Sequence, residues 1–495
     1  MGRLLATGLT ILAGALSIAA QTITGEQKVI YSVIDPEAKT VQVSIDNRSM
    51  HRDDNSAITI PETVTYEGTS YTVVGIAQGA FADTKISGLD IQAPIAEIPA
   101  DAFSGCVGLS SVTMPETLTS IGENAFKGCL NLTAPSFPAA LTTVGASAFE
   151  GCSSLGKLTL PVAAALGERA FAGADISCVI FPASAVTMGA GLFEGVTSLT
   201  SVSMPSWTVT VAANMFNGCP DLTAVDFSGV TAQNMSVGEG AFRGCEKLAS
   251  VTFPAKISSI GSNAFRECTS LTGISLPQMS TLGTGAFRQS GIRKMDKTDW
   301  PATAIRNIDP WIFAETPIES MVIPEWMTRV PEALCHNCVS LASVTIPEGV
   351  TIIAQWAFGH HPIHEDDPTP INNVLTNLVL PKTLKRLYNY AFENNVGLTD
   401  VTFHEGIELF QEGCFIGCRL KNIVIPSTVK ELGYASFCGN GAETITLPET
   451  LSDGRESIQF GTMVFAGNKI EEFTFPSWLT DIPAAIFQEC QDLNT

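Results

Sequence analysis

The feature that most constrains this chain is a passage that repeats. Residues Leu109 to Leu132 read LSSVTMPETLTSIGENAFKGCLNL, and the same order of side chains returns down most of the sequence at steps of about 22 or 23 residues. The phenylalanine of the Ala-Phe pair marks the period, at Phe81, Phe103, Phe126, Phe149 and onward to Phe465 and Phe487, and Cys335 stands in the one repeat that lacks it. A single copy has too few apolar side chains to close a core, whereas stacked copies share a continuous interior. In Val112-Thr113-Met114, the first and third side chains point to one face of a strand and Thr113 to the other, so each copy supplies one short parallel strand. Pro115 lacks a donor and ends the ladder, after which Leu118 and Ile121 turn the chain back over the interior. Ala125, Phe126 and Cys129 lie one and four residues apart, so a single helical or 3-10 turn buries all three. The expected fold class is therefore an α/β repeat: a solenoid with a parallel β-sheet on one face and short helical or 3-10 turns opposite.

Composition agrees with a large folded body. Of 495 residues, 45% are hydrophobic and only 15% charged, too apolar for a disordered chain. The net charge of −22 argues against a nucleic-acid partner, which needs a basic face; an acidic coat keeps a long apolar rod soluble. At the start, Arg3 is followed by an apolar run from Leu4 to Ile18 and small residues before Gln21, the pattern of a cleaved signal peptide over 1–20. No cysteine follows the cleavage region, which disfavours a lipid anchor there, and no later stretch reads as a transmembrane span.

The 13 cysteines of an exported chain would ordinarily imply disulfides. Their register argues otherwise. Cys106, Cys129, Cys152, Cys219, Cys245, Cys268, Cys338, Cys418 and Cys490 all stand three residues after the phenylalanine position, so they are expected as free thiols packed in parallel inside the core.

Residues 21–72 fall outside the repeat. Val29 to Val33 and Thr40 to Ile45 are strand-like runs separated by Asp35-Pro36, and the segment is expected to form an N-terminal β cap over the open end of the solenoid. Repeats occupy 73–495, about 18 units with the last incomplete; because Phe487 to Leu493 begins a unit that Asn494-Thr495 does not finish, a continuation carrying an anchoring or sorting element is expected. Insertions fall around 230–237, 296–305, 359–368 and 452–457, and are expected as loops outside the shared core.

The wording LxxVxxPxxLxxIgxxAFxxCxxL, carried by Leu109, Val112, Pro115, Leu118, Ile121, Gly122, Ala125, Phe126 and Cys129, and again by Leu248 through Cys268, resembles the leucine-rich repeats of BspA-like surface antigens, also called the Treponema pallidum type. The resemblance covers roughly residues 73 to 495. It implies a right-handed leucine-rich-repeat solenoid, export or surface display by a bacterium, commonly a host-associated member of the Bacteroidetes, and adhesion to host extracellular-matrix proteins or to other bacteria.

Candidate recognition residues follow from the register. The outward-facing column of the sheet includes Thr113, Thr159, Ser203, Asp226, Thr252, Ser275, Thr345, Thr402, Thr446 and Thr474, a small, mostly hydroxylated track suited both to exposed strands and to hydrogen bonding along a ligand. Trp207, Trp326 and Trp478 stand two residues after the strand-ending proline, where a rim tryptophan either anchors a partner or lies on its own proline. His360, His361 and His364, with Glu365, Asp366 and Asp367, form the one dense group of metal-capable side chains; Pro362 interrupts it and zinc needs three or four converging ligands, so no metal is expected. Cys335-His336-Asn337-Cys338 falls in core slots. No catalytic constellation emerges, and no cofactor is expected. The expectation is a non-enzymatic exported or cell-surface binding protein, adhesin-like, taking a protein or glycan ligand at a host or bacterial surface; the alternatives are a structural or nutrient-capture part of the cell envelope, and an enzyme with its catalytic domain beyond Thr495.

Overall fold

The computed structural model describes residues 22–162, 164–361 and 374–493; the expected signal segment 1–20, His364 with the acidic residues that follow it, and Asn494-Thr495 lie outside them. The repeated phenylalanines stack in one buried file. Neighbouring rings are separated by 5.5 Å between Phe81 and Phe103, 5.2 Å between Phe126 and Phe149, and 5.4 Å between Phe265 and Phe287, with planes tilted by 11° or less in each pair. Offset stacks at this distance add about 0.5–1.5 kcal/mol to the burial of each ring. The file has one gap. Cys335, fully buried, stands between Phe313 and Phe358, and stacking resumes at 5.4 Å between Phe358 and Phe392.

Each rung touches its neighbours through two parallel ladders. The first is the anticipated strand, as in Ala57–Ile60, Gly88–Ile91 and Ser111–Thr113. It recurs at Ser201–Ser203, Ala224–Asp226 and Ser250–Thr252, and at Lys294–Met295, Ser320–Val322 and Ser343–Thr345. The second ladder was not anticipated. Glu97–Ile98, Ser120–Ile121, Thr143–Val144, Ala165–Leu166 and Thr187–Met188 pair in register across five rungs, with Ile98, Ile121, Val144 and Leu166 buried. Gly122 follows this second strand, where an added Cβ would lie 2.5 Å from the backbone nitrogen of Ala100 in the previous rung. Only a glycine permits that approach.

The turn carrying Ala125, Phe126 and Cys129 differs from the expected helical or 3-10 turn. The amides of Ala125, Lys127 and Cys129 donate three residues back, to Gly122, Asn124 and Phe126. Those of Asn124, Phe126 and Gly128 donate instead to Ala146, Ala148 and Glu150 of the next rung. Left-handed residues at Asn124 (φ 55°) and Gly128 (φ 71°) make this alternation possible, because they turn every second N–H along the solenoid rather than around it. Among the described residues the helical segments are Glu26–Lys28, Asn47–Met50, Lys297–Asp299 and Ser452–Gly454, none of them in this turn.

Two insertions enter the core that they were expected to skirt: Val230, Met235 and Val237 are buried in 230–237, and 296–305 does the same. Trp300 and Ile305 are buried, and the Trp300 ring meets Phe313 edge-on at 5.9 Å. At the N-terminal end, β1 (Thr22–Thr24), β2 (Ile30–Asp35), β3 (Thr40–Val43), β4 (Thr63–Tyr66) and β5 (Thr69–Ile76) form a five-stranded sheet ordered β1-β2-β3-β5-β4. Just beyond β3, the buried His51 ring sits 5.7 Å from Phe81, the first ring of the file.

Candidate functional site

The outward column begins the search for a site. Thr113, Thr159, Ser203, Thr252, Thr345 and Thr446 lie in strands and are exposed, while Asp226 is half-buried and accepts a hydrogen bond from the Ser228 amide at 2.8 Å. Ser275, Thr402 and Thr474 are exposed but lie in no strand. At Ser275 the reason is visible: the next amide, of Leu276, donates to Asp299 in the inserted 3-10 turn instead of to a strand. The rungs of Thr402 and Thr474 also lack the ladder, and nothing in the structure explains it. Hydroxyls one column away behave differently, since Thr119 and Thr142 each donate to a carbonyl of the previous rung, Ala96 at 2.9 Å and Thr119 at 3.0 Å. Among the described residues, Thr113, Thr159, Ser203, Thr252, Thr345 and Thr446 make no such tie, although Thr444 in the strand of Thr446 donates to Asn422 Oδ1 of the previous rung at 2.7 Å.

The three rim tryptophans are fastened to the scaffold. Trp207, Trp326 and Trp478 are half-buried, and their indole N–H groups donate to the carbonyls of Pro182, Pro301 and Pro448 of the previous rung, at 3.0, 3.0 and 2.8 Å; Pro182 and Pro448 follow the strand of that rung, and Pro301 follows its inserted 3-10 turn. Their polar atom is thereby committed to the fold. Only the ring edges remain for a partner.

The thiols also serve the scaffold. Cys106, Cys129, Cys152, Cys219, Cys245, Cys268, Cys338 and Cys418 are free and buried, Cys490 is half-buried, and each donates to the carbonyl of the column phenylalanine one rung earlier, as Cys129 does to Phe103 at 3.2 Å; in the rung of Cys335 itself, Cys338 reaches Phe313 at 3.0 Å. Burial raises the Cys106 thiol to about 11 and Cys152 to about 12, so neither is an activated nucleophile. In the C-terminal rungs Asn395, Asn440 and Asn468 take the same slot, and each amide group bonds two phenylalanine carbonyls. Cys335 is buried beside Met321, as expected for core packing.

Of the histidine candidates, His361 is exposed and its Nδ1 lies 3.1 Å from Glu393 Oε1. His360 is buried, and neither of its ring nitrogens has a partner. Among the described residues, no three His, Cys, Asp or Glu side chains converge to hold a metal ion. Burial, reinforced by the neighbouring His336, pushes His360 down to about 3, and burial, with His361 and Arg288 nearby, pushes His336 down to about 4. Both are neutral imidazoles in the fold.

Directly beside them lies a feature that the sequence reading missed. The position two residues before the column phenylalanine is left-handed, as at Asp101, Asn124, Ser147, Asn214, Asn263 and several glycines. Trp311 (φ 68°), Trp356 (φ 53°) and Tyr390 (φ 59°) occupy it too. A side chain with a Cβ costs roughly 1–2 kcal/mol in this region, and bulky residues are rarely found there. The rings form a half-buried strip. Trp311 and Trp356 are 6.1 Å apart, Trp356 and Tyr390 6.2 Å, and the His336 ring stands edge-on to Trp311 at 5.0 Å. Small residues make room: Ala333 occupies the slot between the two tryptophans, and at Gly413 an added Cβ would lie 2.5 Å from the Tyr390 ring. Arg288 covers one end, 5.4 Å from the Trp311 centroid and paired with Glu315 at 2.5 Å. Tyr390 closes the other, its hydroxyl donating to Glu412 at 2.5 Å.

A family model described as a BspA type leucine rich repeat region (6 copies) matches residues 74–194, 129–235, 164–293, 235–364 and 371–494. The chain belongs to the BspA-type leucine-rich repeat family. Its fold is similar to that of a leucine-rich repeat protein from Bacteroides ovatus, with 20% identity over 83% of this chain and 94% of that one and a TM-score of 0.55. It also aligns with the pneumococcal vaccine antigen PcpA, at 17% identity over 74% of this chain and 93% of that one with a TM-score of 0.41. A leucine-rich repeat protein from T. pallidum matches at 20% identity, over 49% of this chain and 87% of that one, with a TM-score of 0.29. No curated protein matches the chain.

The BspA-type register also shows where the aromatic strip could have been found. Aligning the Ala-Phe pairs puts Trp311, Trp356 and Tyr390 in the column that holds Asn124 and Asn263. A bulky ring in a column of turn formers is the signal.

Proposed function

We propose that this BspA-type solenoid is an exported binding protein, adhesin-like, that recognises a protein or glycan ligand at a host or bacterial surface. The observation that carries the reading is the division of labour across each rung. Interior side chains, rim tryptophans and thiols all bond or pack onto the neighbouring rung. The outward strand positions Thr113, Thr159, Ser203, Thr252, Thr345 and Thr446 are exposed and left over. A scaffold that fixes its own geometry while leaving a long face unengaged is organised for recognition. The apolar run after Arg3 supports export, and the five-stranded N-terminal sheet is proposed as the cap of the solenoid. The recognition chemistry needs no catalytic group.

The test is binding of the purified full chain to immobilised extracellular-matrix proteins and to a glycan panel, comparing wild type with Thr252→Lys plus Thr345→Lys. A ligand that the wild type binds and the variant loses at unchanged thermal stability supports the outward face. Absence of binding to every ligand of both classes contradicts the proposal.

A further inference from the structure

We infer that the strip formed by Trp311, Trp356 and Tyr390 is a binding site for a neutral glycan chain. The inference rests on the recognition role proposed above and names a ligand class and a site that the outward strand face does not include.

Three observations carry it. First, aromatic side chains stand at left-handed backbone positions in three rungs, where Asn, Asp, Ser, Gly or Ala serves in nearly all the others and Arg169 and Met463 are the remaining long side chains; the fold does not require rings there, and backbone strain retained without a structural need points to function. Second, the rings are contiguous along the solenoid, with centroids 6.1 and 6.2 Å apart. Half-buried aromatic rings in a row offer apolar surface to the C–H faces of successive sugar units, with polar atoms at their edges. Third, the charges at the two ends are matched to hydroxyl groups rather than to ions. The Arg288 guanidinium is already paired with Glu315, while its buried Nε has no acceptor. At the other end, the Glu412 carboxylate takes the Tyr390 hydroxyl and retains further acceptor capacity. A donor and an acceptor that are internally neutralised suit an uncharged polyol. A sulfated or uronic-acid chain would meet a protein of net charge −22 with no uncommitted cation in the strip among the described residues. A basic peptide would have to compete for carboxylates already engaged.

The test uses the full chain in affinity electrophoresis and calorimetry against soluble neutral glucan, mannan and N-acetylhexosamine oligosaccharides, with heparin as the anionic control. The variants are Trp311→Asn plus Trp356→Asn, and Tyr390→Asn. Asn suits the left-handed position, so these variants should melt at the same temperature as wild type or higher. Wild type should bind at least one neutral glycan and not heparin, and the double variant should lose affinity by at least about tenfold. Neutral-glycan binding unchanged in both variants overturns the assignment, as does preferential binding of heparin. So does loss of folding stability in the variants with no neutral glycan bound by wild type, since the rings then serve packing. If wild type captures a matrix protein but no neutral glycan, the strip assignment fails while the recognition role stands; if it captures neither, both fail.

Discussion

The rungs from Gly122 to Gly283 and the rungs from Asp309 to Gln411 share one phenylalanine file but treat their outer turns differently. In the first stretch the second ladder is followed by Gly122, Gly145, Gly167, Gly189, Gly238, Gly261 and Gly283, broken only by Ala212; in the other, the same place holds Asp309, Pro331, Ala354, Tyr388 and Gln411. The effect is measurable. Gly122 N–H reaches Ile98 O at 2.7 Å, whereas Ala354 N–H reaches Val330 O at 3.2 Å. A Cβ there lengthens this bond at most slightly, since Gln411 N–H reaches Leu387 O at 2.9 Å just as Gly283 N–H reaches Ile260 O, and the file keeps its 5.2 Å spacing between Phe392 and Phe415. The same stretch puts rings rather than turn formers at left-handed positions. It also contains Trp311, Trp326 and Trp356, three of the six tryptophans in the chain. Interior uniformity and exterior divergence are thus separable in one molecule.

The largest expected effect breaks what the two stretches share. Phe149→Ala leaves a cavity in a file stacked at 5.2 and 5.4 Å on its two sides, and denaturant unfolding should show a loss of about 3–5 kcal/mol. Phe392→Ala should lose a similar amount, and a much smaller loss at either site would mean that the file is not a common core. Next in size is the contrast between the turns. Gly145→Ala would bring a Cβ within 2.6 Å of the Glu123 nitrogen and should cost about 1–3 kcal/mol, while Ala354→Gly should cost no more than about 0.5–1 kcal/mol.

The third prediction concerns pH and the two buried histidines of the divergent stretch. His336 and His360 have folded values of about 4 and about 3 against an ordinary 6.5. As pH falls below 6.5, the unfolded chain takes up protons that the folded one refuses, so stability should decline from pH 6.5 toward pH 4. Glu393, raised by burial above its ordinary 4.5, works in the opposite sense, since stability from that group falls as pH rises from 4.5 through its folded value. Two histidines against one carboxyl leave a net acid sensitivity. Thermal melts at pH 7 and pH 4 should show it, and His336→Leu combined with His360→Leu should reduce it; an unchanged melting temperature across that range would remove the buried neutral pair. The smallest effect is at the thiol slot. Cys152→Ala deletes the bond to Phe126 O at 3.2 Å and should cost about 1 kcal/mol in the same unfolding assay.

How much of this was legible depended on how many residues carried each signal. The phenylalanine file and the thiol slot recur in rung after rung, so their spacing declared them. The second ladder uses two residues per rung, as at Ser120–Ile121, too few for alternation to show. The turn was misjudged because spacing alone cannot distinguish a helical turn from alternating right- and left-handed residues; the Asn and Gly preference at that position could have distinguished them. Trp300 was placed outside the core because its insertion breaks the register, yet a buried indole gains more from Phe313 than from water. The rim tryptophans were legible as positions, while their bonds to proline carbonyls depended on rung-to-rung geometry.

Native-state hydrogen exchange tests the shared scaffold most directly. The Phe126 amide donates to Ala148 at 2.8 Å, and the Phe358 and Phe392 amides donate to Ala391 and Cys414 at 2.9 Å. These three amides should exchange slowly and with similar protection, even though their outer turns differ. Rapid exchange at Phe358 and Phe392 beside a protected Phe126 would contradict a single continuous core.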